Sequence, residues 1–210
     1  SVILGFAGQL EEDQTLPASA REQAACIRKQ GERLRSLISD LNLTSRLEYS
    51  MQPLRVETIY LVELARQAVC EFLDEGLEEQ YEIEFCTDQK SESMSIPGDE
   101  ALLRRALGNL IQNSIVHNPQ GCQIAVSVLC GETGITVEVA DDGAGVSAEK
   151  LKELTAGSRH LESTDEKLNL RHGLGVLLVR QIVKAHKGTM TMESAPQKGF
   201  RTVLTFSGCP

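Results

Sequence analysis

No run of about 18 apolar residues, the length a helix needs to span a bilayer's hydrocarbon core, occurs anywhere in the sequence. No cleavable secretory segment precedes the first apolar pattern either, so the stretch is expected to be cytoplasmic. Cys-x-x-Cys spacing is missing as well. The six cysteines, at 26, 70, 86, 122, 130 and 209, are scattered among apolar positions, which argues against a zinc site and fits small buried side chains in a reducing compartment. A basic excess is absent too. With 21 Lys and Arg against 30 Asp and Glu the formal charge is −9, so no nucleic-acid footprint is expected and a nucleotide ligand would be held by local groups. What remains is an ordinary folding chain: 41% hydrophobic and 24% charged residues over 210 positions suit one domain plus a smaller appendage. The first residue is Ser1 and the chain begins inside an apolar pattern, which reads as a fragment.

Residues 1–51 read as a helical hairpin. Val2, Ile3, Phe6 and Leu10 mark the end of one helix, and Asp13 to Pro17 supplies a turn. Ala20, Ala24, Ile27, Gly31, Leu34, Ile38 and Leu41 then recur at alternating spacings of four and three, the seam of a helix that packs on other helices. Such a hairpin buries little apolar surface. Either it pairs with a second copy as a twofold four-helix bundle, the expected case, or it packs on its own domain. Residues 52–210 change to strands alternating with helices. Strands are predicted at Leu54 to Thr58, Tyr81 to Cys86 and Met94 to Ile96, with a helix from Tyr60 to Gly76. Gly98-Asp99 caps a helix from Glu100 to His117, and Cys122 to Cys130 with Gly134 to Ala140 forms a hairpin. A short helix at Ser147 to Leu154, a long loop from Thr155 to His172 and a helix from Gly173 to Lys187 follow. Strands at Thr189 to Ser194 and Phe200 to Phe206 flank a turn at Pro196 to Gly199.

Three stretches carry chemistry. Val137-Glu-Val-Ala-Asp-Asp-Gly-Ala-Gly-Val146 is an alternating strand running into two acids and a glycine pair. It either delivers a carboxylate to the rim of a pocket or makes an Asp-Gly turn. Asn109 and Asn113, four apart on one helical face, are either a polar pair or oxygen ligands for a hard cation such as Mg²⁺. Gly173-Leu174-Gly175 lies where the long loop meets a helix, a position whose unpaired N–H groups favour phosphate. Arg159, His160, Arg171 and His172 beside it either add charge against phosphates or serve solubility.

In this order, with Lys198-Gly199 between the last strands, the motifs resemble the ATP-binding domain shared by sensor histidine kinases, the Hsp90 chaperone, type II topoisomerases and MutL. The hairpin, reading Leu34-Arg-Ser-Leu-Ile-Ser-Asp-Leu41 and then Leu47-Glu48, is similar to the dimerisation and phosphotransfer helices of histidine kinases in particular. The resemblance implies an α+β chain: the hairpin, then an α/β sandwich whose mixed sheet is covered on one face by helices. It implies ATP and Mg²⁺ as ligands. Asp141 falls on the adenine reader, Gly143 and Gly145 on the glycines that leave room for nucleotide, and Asn113 on the Mg²⁺ ligand with Asn109 one turn earlier. His117 falls where an aromatic residue commonly lies against base or ribose. Gly173 and Gly175 fall on the second glycine box, whose helix points its N-terminus at the phosphates. A homodimer through the N-terminal helices, a response regulator docking on the bundle and a parent anchored in the inner membrane are further implications.

The chain departs from the family pattern at several places. Val116 stands where a phosphate-side lysine is usual, and the usual phenylalanine pair is missing from Leu151-Lys-Glu-Leu-Thr-Ala-Gly-Ser-Arg-His160. Arg171 and Gln197 replace glycines. The family's phosphoacceptor histidine would fall about two helical turns before Ser1, and His117, His160, His172 and His186 all lie outside the hairpin. The expected function is that of a sensor histidine kinase core. The alternatives are a non-catalytic nucleotide-binding scaffold and an ATPase clamp, whose glutamate on the asparagine helix is here Asn109.

Overall fold

The computed structural model describes residues 2–51, 53–74, 76–131, 134–156 and 169–207, with the backbone alone over 169–173. Contacts divide the chain into two units, Ser1–Ser45 and Arg46–Pro210.

The first unit holds α1 (Val2–Glu12) and most of α2 (Ala18–Glu48). Asp13 shapes the turn between them, its Oδ1 accepting from the Thr15 amide at 2.8 Å and the Thr15 hydroxyl at 2.6 Å. Arg28 of α2 reaches back to α1 and donates through Nε and Nη2 to both oxygens of Glu11, at 2.5 and 3.1 Å. Ala7 and Ala24 are buried, whereas Ile3, Phe6, Ile27, Leu34, Ile38 and Leu41 are all more than half exposed. Ile27, Leu34, Ile38 and Leu41 of the predicted seam are therefore exposed apolar residues, whereas Ala24 is buried and Gly31 packs against Leu4.

The second unit is built on a five-stranded sheet of order β2-β4-β5-β7-β6. Its strands are β2 (Tyr81–Thr87), β4 (Cys122–Gly131), β5 (Gly134–Asp141), β6 (Thr189–Ser194) and β7 (Phe200–Phe206). The pair β2 and β4 is parallel and the other pairs are antiparallel, so the sheet is mixed. Alternation decides which face is covered. Ile124, Val126 and Val128 of β4 and Ile135, Val137 and Val139 of β5 are buried on one face. The other face carries Glu138, Glu193 and Arg201, joined by ion pairs at 2.6 and 3.0 Å. Three helices cover the apolar face: α3 (Leu61–Asp74), α4 (Glu100–His117) and α6 (Asn169–Ala185). In α3, Leu61, Leu64, Ala65, Ala68 and Val69 form the buried stripe at helical spacing. A separate antiparallel pair, β1 (Glu57–Tyr60) with β3 (Ser95–Gly98), precedes α4.

Asp99 fixes the start of α4, the helix that carries the asparagines. Its Oδ1 accepts from the Leu102 amide at 3.2 Å and its Oδ2 from the Arg55 amide at 3.0 Å. The Asp99 amide in turn donates to His186 Nε2 at 2.9 Å, while His186 Nδ1 faces the Ile182 carbonyl at 2.7 Å. That pattern places the imidazole proton on Nδ1 and ties the start of α4 to the end of α6.

Most predicted elements are present, with shifted ends; the third strand is Ser95–Gly98 and the helix after the first strand is Leu61–Asp74. The first strand is Glu57–Tyr60 and not Leu54 to Thr58, because Arg55 is held by the Asp99 side chain while the ladder with β3 begins at Glu57. Helix α2 runs on from Leu41 to Glu48, no glycine or proline interrupting it. A short helix, α5 (Ala148–Ala156), runs two residues past the predicted end. Helix α6 is described from Asn169 and not Gly173, so both glycines lie inside it, while residues 157–168 of the predicted long loop lie outside the described residues. Among the described residues, no helix is long and apolar enough to cross a membrane.

Candidate nucleotide site

The end of β5 turns into the segment 142–147, and its two acids part company there. Asp142 stays with the sheet: its amide donates to the Gln123 carbonyl at 3.2 Å and its Oδ1 accepts from the Gln123 amide at 2.8 Å. Asp141 turns inward. Its Oδ2 accepts from Ser114 Oγ at 2.9 Å, and its Oδ1 accepts from Asn118 Nδ2 at 3.2 Å and the Gly143 amide at 3.1 Å. A carboxylate offers roughly four lone-pair directions, so one is left without a partner among these three bonds, and Asp141 borders a neighbouring space.

That space is a cavity of about 110 Å³ between α4, α5 and the sheet. Leu110, Val139, Leu154 and Val176 supply apolar walls, and Asn113, His117, Asp141, Lys150 and Thr202 bring polar groups to it. An apolar slot with a few convergent polar atoms is the form a small-molecule site takes. Cys122 lies beneath Asp141. Burial, followed by the Asp141 charge, pushes its thiol pKa up, so it remains a neutral thiol whose Sγ donates to the Ser114 carbonyl at 3.7 Å.

The turn between β6 and β7 fixes the loop from behind. The Gln197 amide donates to the Ala144 carbonyl at 2.8 Å and the Gly199 amide to the Gly143 carbonyl at 3.0 Å. Ser194 Oγ accepts from the Val146 amide at 2.9 Å and donates to the Gly199 carbonyl at 2.6 Å. Gly145 adopts φ +62°, and a β-carbon there would stand 2.1 Å from the Ala195 carbonyl oxygen. Only glycine meets both demands without moving the turn. The protein itself thus occupies the space beside this glycine.

Of the residues expected in the site, Asn113, His117, Asp141 and Gly145 border the cavity. Gly143 lies beside it, against Asn118. Gly175 faces both asparagines across the α4 and α6 packing, 3.5 Å from each Oδ1 to an ideal β-carbon position, and Leu174 precedes it in the same helix. Asn109 donates through Nδ2 to the Arg105 carbonyl at 3.0 Å, one turn back. Because α6 already includes Asn169, Gly173 and Gly175 lie inside the helix and not at its start, where the sequence predicts them. Arg171, His172 and Gly173 fall in the part of α6 where only the backbone is described, and Arg159 and His160 lie outside the described residues.

Several residues escaped the sequence reading. Ser114 and Asn118 orient Asp141, and neither is marked by a local sequence pattern. Lys150 of α5 is the only lysine or arginine among the described residues lining the cavity, and it pairs with Glu153 at 3.0 Å. Arg180 of α6 donates to the carbonyls of Leu154, at 2.6 Å, and Thr155, which closes the C-terminal end of α5 and holds that wall of the cavity. Among the described residues no group of three His, Cys, Asp or Glu side chains is placed to hold a metal ion. The Asn113 amide at the cavity wall is nevertheless the sort of donor that Mg²⁺ accepts when substrate phosphates and waters complete its octahedron.

A mixed sheet with helices on one face and this cavity at the end of β5 make an α/β sandwich with a small-molecule site. Residues 98–208 match the family described as histidine kinase-, DNA gyrase B- and HSP90-like ATPase, and the chain belongs to it. Among its relatives, the sensor histidine kinase YvrG of Bacillus subtilis (strain 168) is 31% identical over 208 residues, an alignment covering 98% of this chain and 35% of YvrG. Full-length ShkA, solved in complex with AMPPNP, superposes with a TM-score of 0.77 at 23% identity, covering 99% of this chain and 42% of ShkA. Histidine kinase ThkA, solved in complex with the response regulator protein TrrA, gives 0.66 at 20% identity, covering 98% of this chain and 56% of that one. The two structures bear on the fold; the family match and YvrG place the chain with the ATP-binding cores of sensor histidine kinases. The chain spans about a third of YvrG's length.

Proposed function

We propose that the chain binds ATP with Mg²⁺ and that the intact protein is a two-component sensor histidine kinase, phosphorylating its own histidine and passing the phosphoryl group to a response regulator. The observation that carries this reading is the inward carboxylate of Asp141 at the rim of a cavity that Asn113 also borders. An ionised carboxylate only accepts hydrogen bonds, so its remaining lone pair suits the exocyclic amine of adenine. His117 and the apolar walls enclose the base and ribose, and Lys150 adds a cation at the α5 wall. Asn113 would hold Mg²⁺ through its side-chain oxygen, and the bound ion would neutralise charge on the phosphates.

In the transfer the bond from the γ-phosphorus to the β,γ-bridging oxygen breaks, ADP leaves with the electron pair, and an imidazole nitrogen forms the new bond while its proton passes to a base. No histidine occurs in residues 1–51, so the acceptor is proposed to precede Ser1 in the intact protein. The exposed apolar residues of α1 and α2 support a homodimer through these helices. The complex of ThkA with TrrA supports a response regulator as the next acceptor. A cytoplasmic position for this portion, with the parent anchored in the inner membrane, completes the reading.

A non-catalytic nucleotide-binding scaffold is the second reading, favoured by Val116 at the lysine position, where it is 43% exposed. A chain extended upstream to include the histidine and given γ-labelled ATP separates the two. An acid-labile phosphoprotein is expected; nucleotide binding without one would leave the scaffold. Removing Mg²⁺ with EDTA is expected to weaken ATP binding by about tenfold or more while leaving adenosine within about twofold, as titration calorimetry would show. ATP and adenosine binding both unaffected by the chelator would make Asn113 a structural residue.

A further inference from the structure

Asn118 closes α4 with φ −121° and ψ 66°, and it is 7% exposed. Its side chain makes three hydrogen bonds. Nδ2 donates to the Ser114 carbonyl at 2.8 Å and to Asp141 Oδ1 at 3.2 Å, and Oδ1 accepts from the Ala144 amide at 3.0 Å. Flipping the amide would set donor against donor and acceptor against acceptor, so the orientation is fixed by its surroundings. Asn118 and the Gly143 amide together occupy Asp141 Oδ1. Ser114 takes one direction of Oδ2, and the direction left open is on Oδ2.

Gly143 completes the arrangement. A β-carbon there would lie 1.9 Å from Asn118 Oδ1 and 2.4 Å from Nδ2, and its nearest contacts are all Asn118 side-chain atoms. The glycine leaves the space that the asparagine amide fills.

We propose that Asn118, seated against Gly143, is a positioning residue that sets base selectivity by locking the plane of the Asp141 carboxylate. The proposal rests on the ATP-binding reading above. A locked acceptor pointing into the cavity favours a 6-aminopurine, whose amine donates, and opposes a 6-oxopurine, whose O6 would face the carboxylate. A carboxylate free to rotate loses that discrimination before it loses affinity for the diphosphate.

The test compares ADP with IDP by titration calorimetry on the whole chain, with thermal unfolding of each variant alongside. The native protein is expected to prefer ADP. Asn118→Ser is expected to reduce the ADP-to-IDP preference by about tenfold. Gly143→Ala, which drives the amide from its seat while leaving it present, is expected to do the same. The double variant is expected to match Asn118→Ser alone, because the added methyl then enters vacated space. An unchanged preference in either folded single variant, or losses in preference that add in the double, would overturn the proposal even if ADP still binds. If one single variant fails to fold, the other gives the same reading. Native protein that binds neither ADP nor IDP would overturn the ATP-binding reading and this proposal with it.

Discussion

Asp141→Asn is expected to weaken ATP binding by about 10- to 100-fold, the worth of a hydrogen bond to a charged group. The folded chain should tolerate the change. An asparagine can keep its oxygen towards Asn118 Nδ2 and the Gly143 amide while its amide donates to Ser114 Oγ, whose hydroxyl rotates to accept. The same amide then meets the adenine amine with a second donor, and the base contact is lost. Titration with ATP should show the loss while the unfolding midpoint falls by a few degrees at most. Unchanged affinity would remove Asp141 from the site, and loss of folding in step with affinity would make it a structural residue.

How far the sequence disclosed this site depended on whether the informative contacts run along the chain or across it. Helix α4 was legible to the residue, because the Asp99 cap and Pro119 bracket a regular apolar stripe. Strands β6 and β7 were equally clear, since alternation is local. The start of α6 was not. Gly173 has a low helix propensity and invited a boundary, but Asn169 to His172 contain no breaker and the helix already includes them. The first strand begins later than local pattern suggests, because a side chain far along the sequence, Asp99, holds Arg55 while the ladder with β3 begins at Glu57.

The site followed the same rule. Asp141 was found because a strand, two acids and two glycines are adjacent in sequence. Ser114 and Asn118 reach it across 27 and 23 residues, and no local pattern marks either. The closing turn gave a partial signal. Gln197 stands where the family pattern has glycine, and its φ of +62° shows why glycine is favoured there. Its amide bond to the Ala144 carbonyl retains the left-handed geometry in this chain.

Gly199→Ala should be among the most disruptive single methyl additions in this chain. Gly199 adopts φ +69°, and a β-carbon would stand 1.7 Å from the Asp141 carbonyl oxygen and 2.7 Å from the carbonyl carbon. Both contacts are backbone, so no side chain can rotate away. Left-handed strain of about 1 kcal/mol and overpacking of about 2 kcal/mol together predict a loss near 3 kcal/mol. For a domain of this size that is a fall of roughly 6–12 °C in the unfolding midpoint. Part of the strain would pass into the strand that carries Asp141, so nucleotide affinity should fall further than instability alone explains when measured well below the midpoint. Gln197→Gly, two residues away in the same turn, should have the opposite sign: relief of its left-handed strain raises stability by about 0.5–1 kcal/mol. A small effect of Gly199→Ala, or a loss of stability in Gln197→Gly, would show that the turn does not clamp the 142–147 segment in solution as these hydrogen bonds describe.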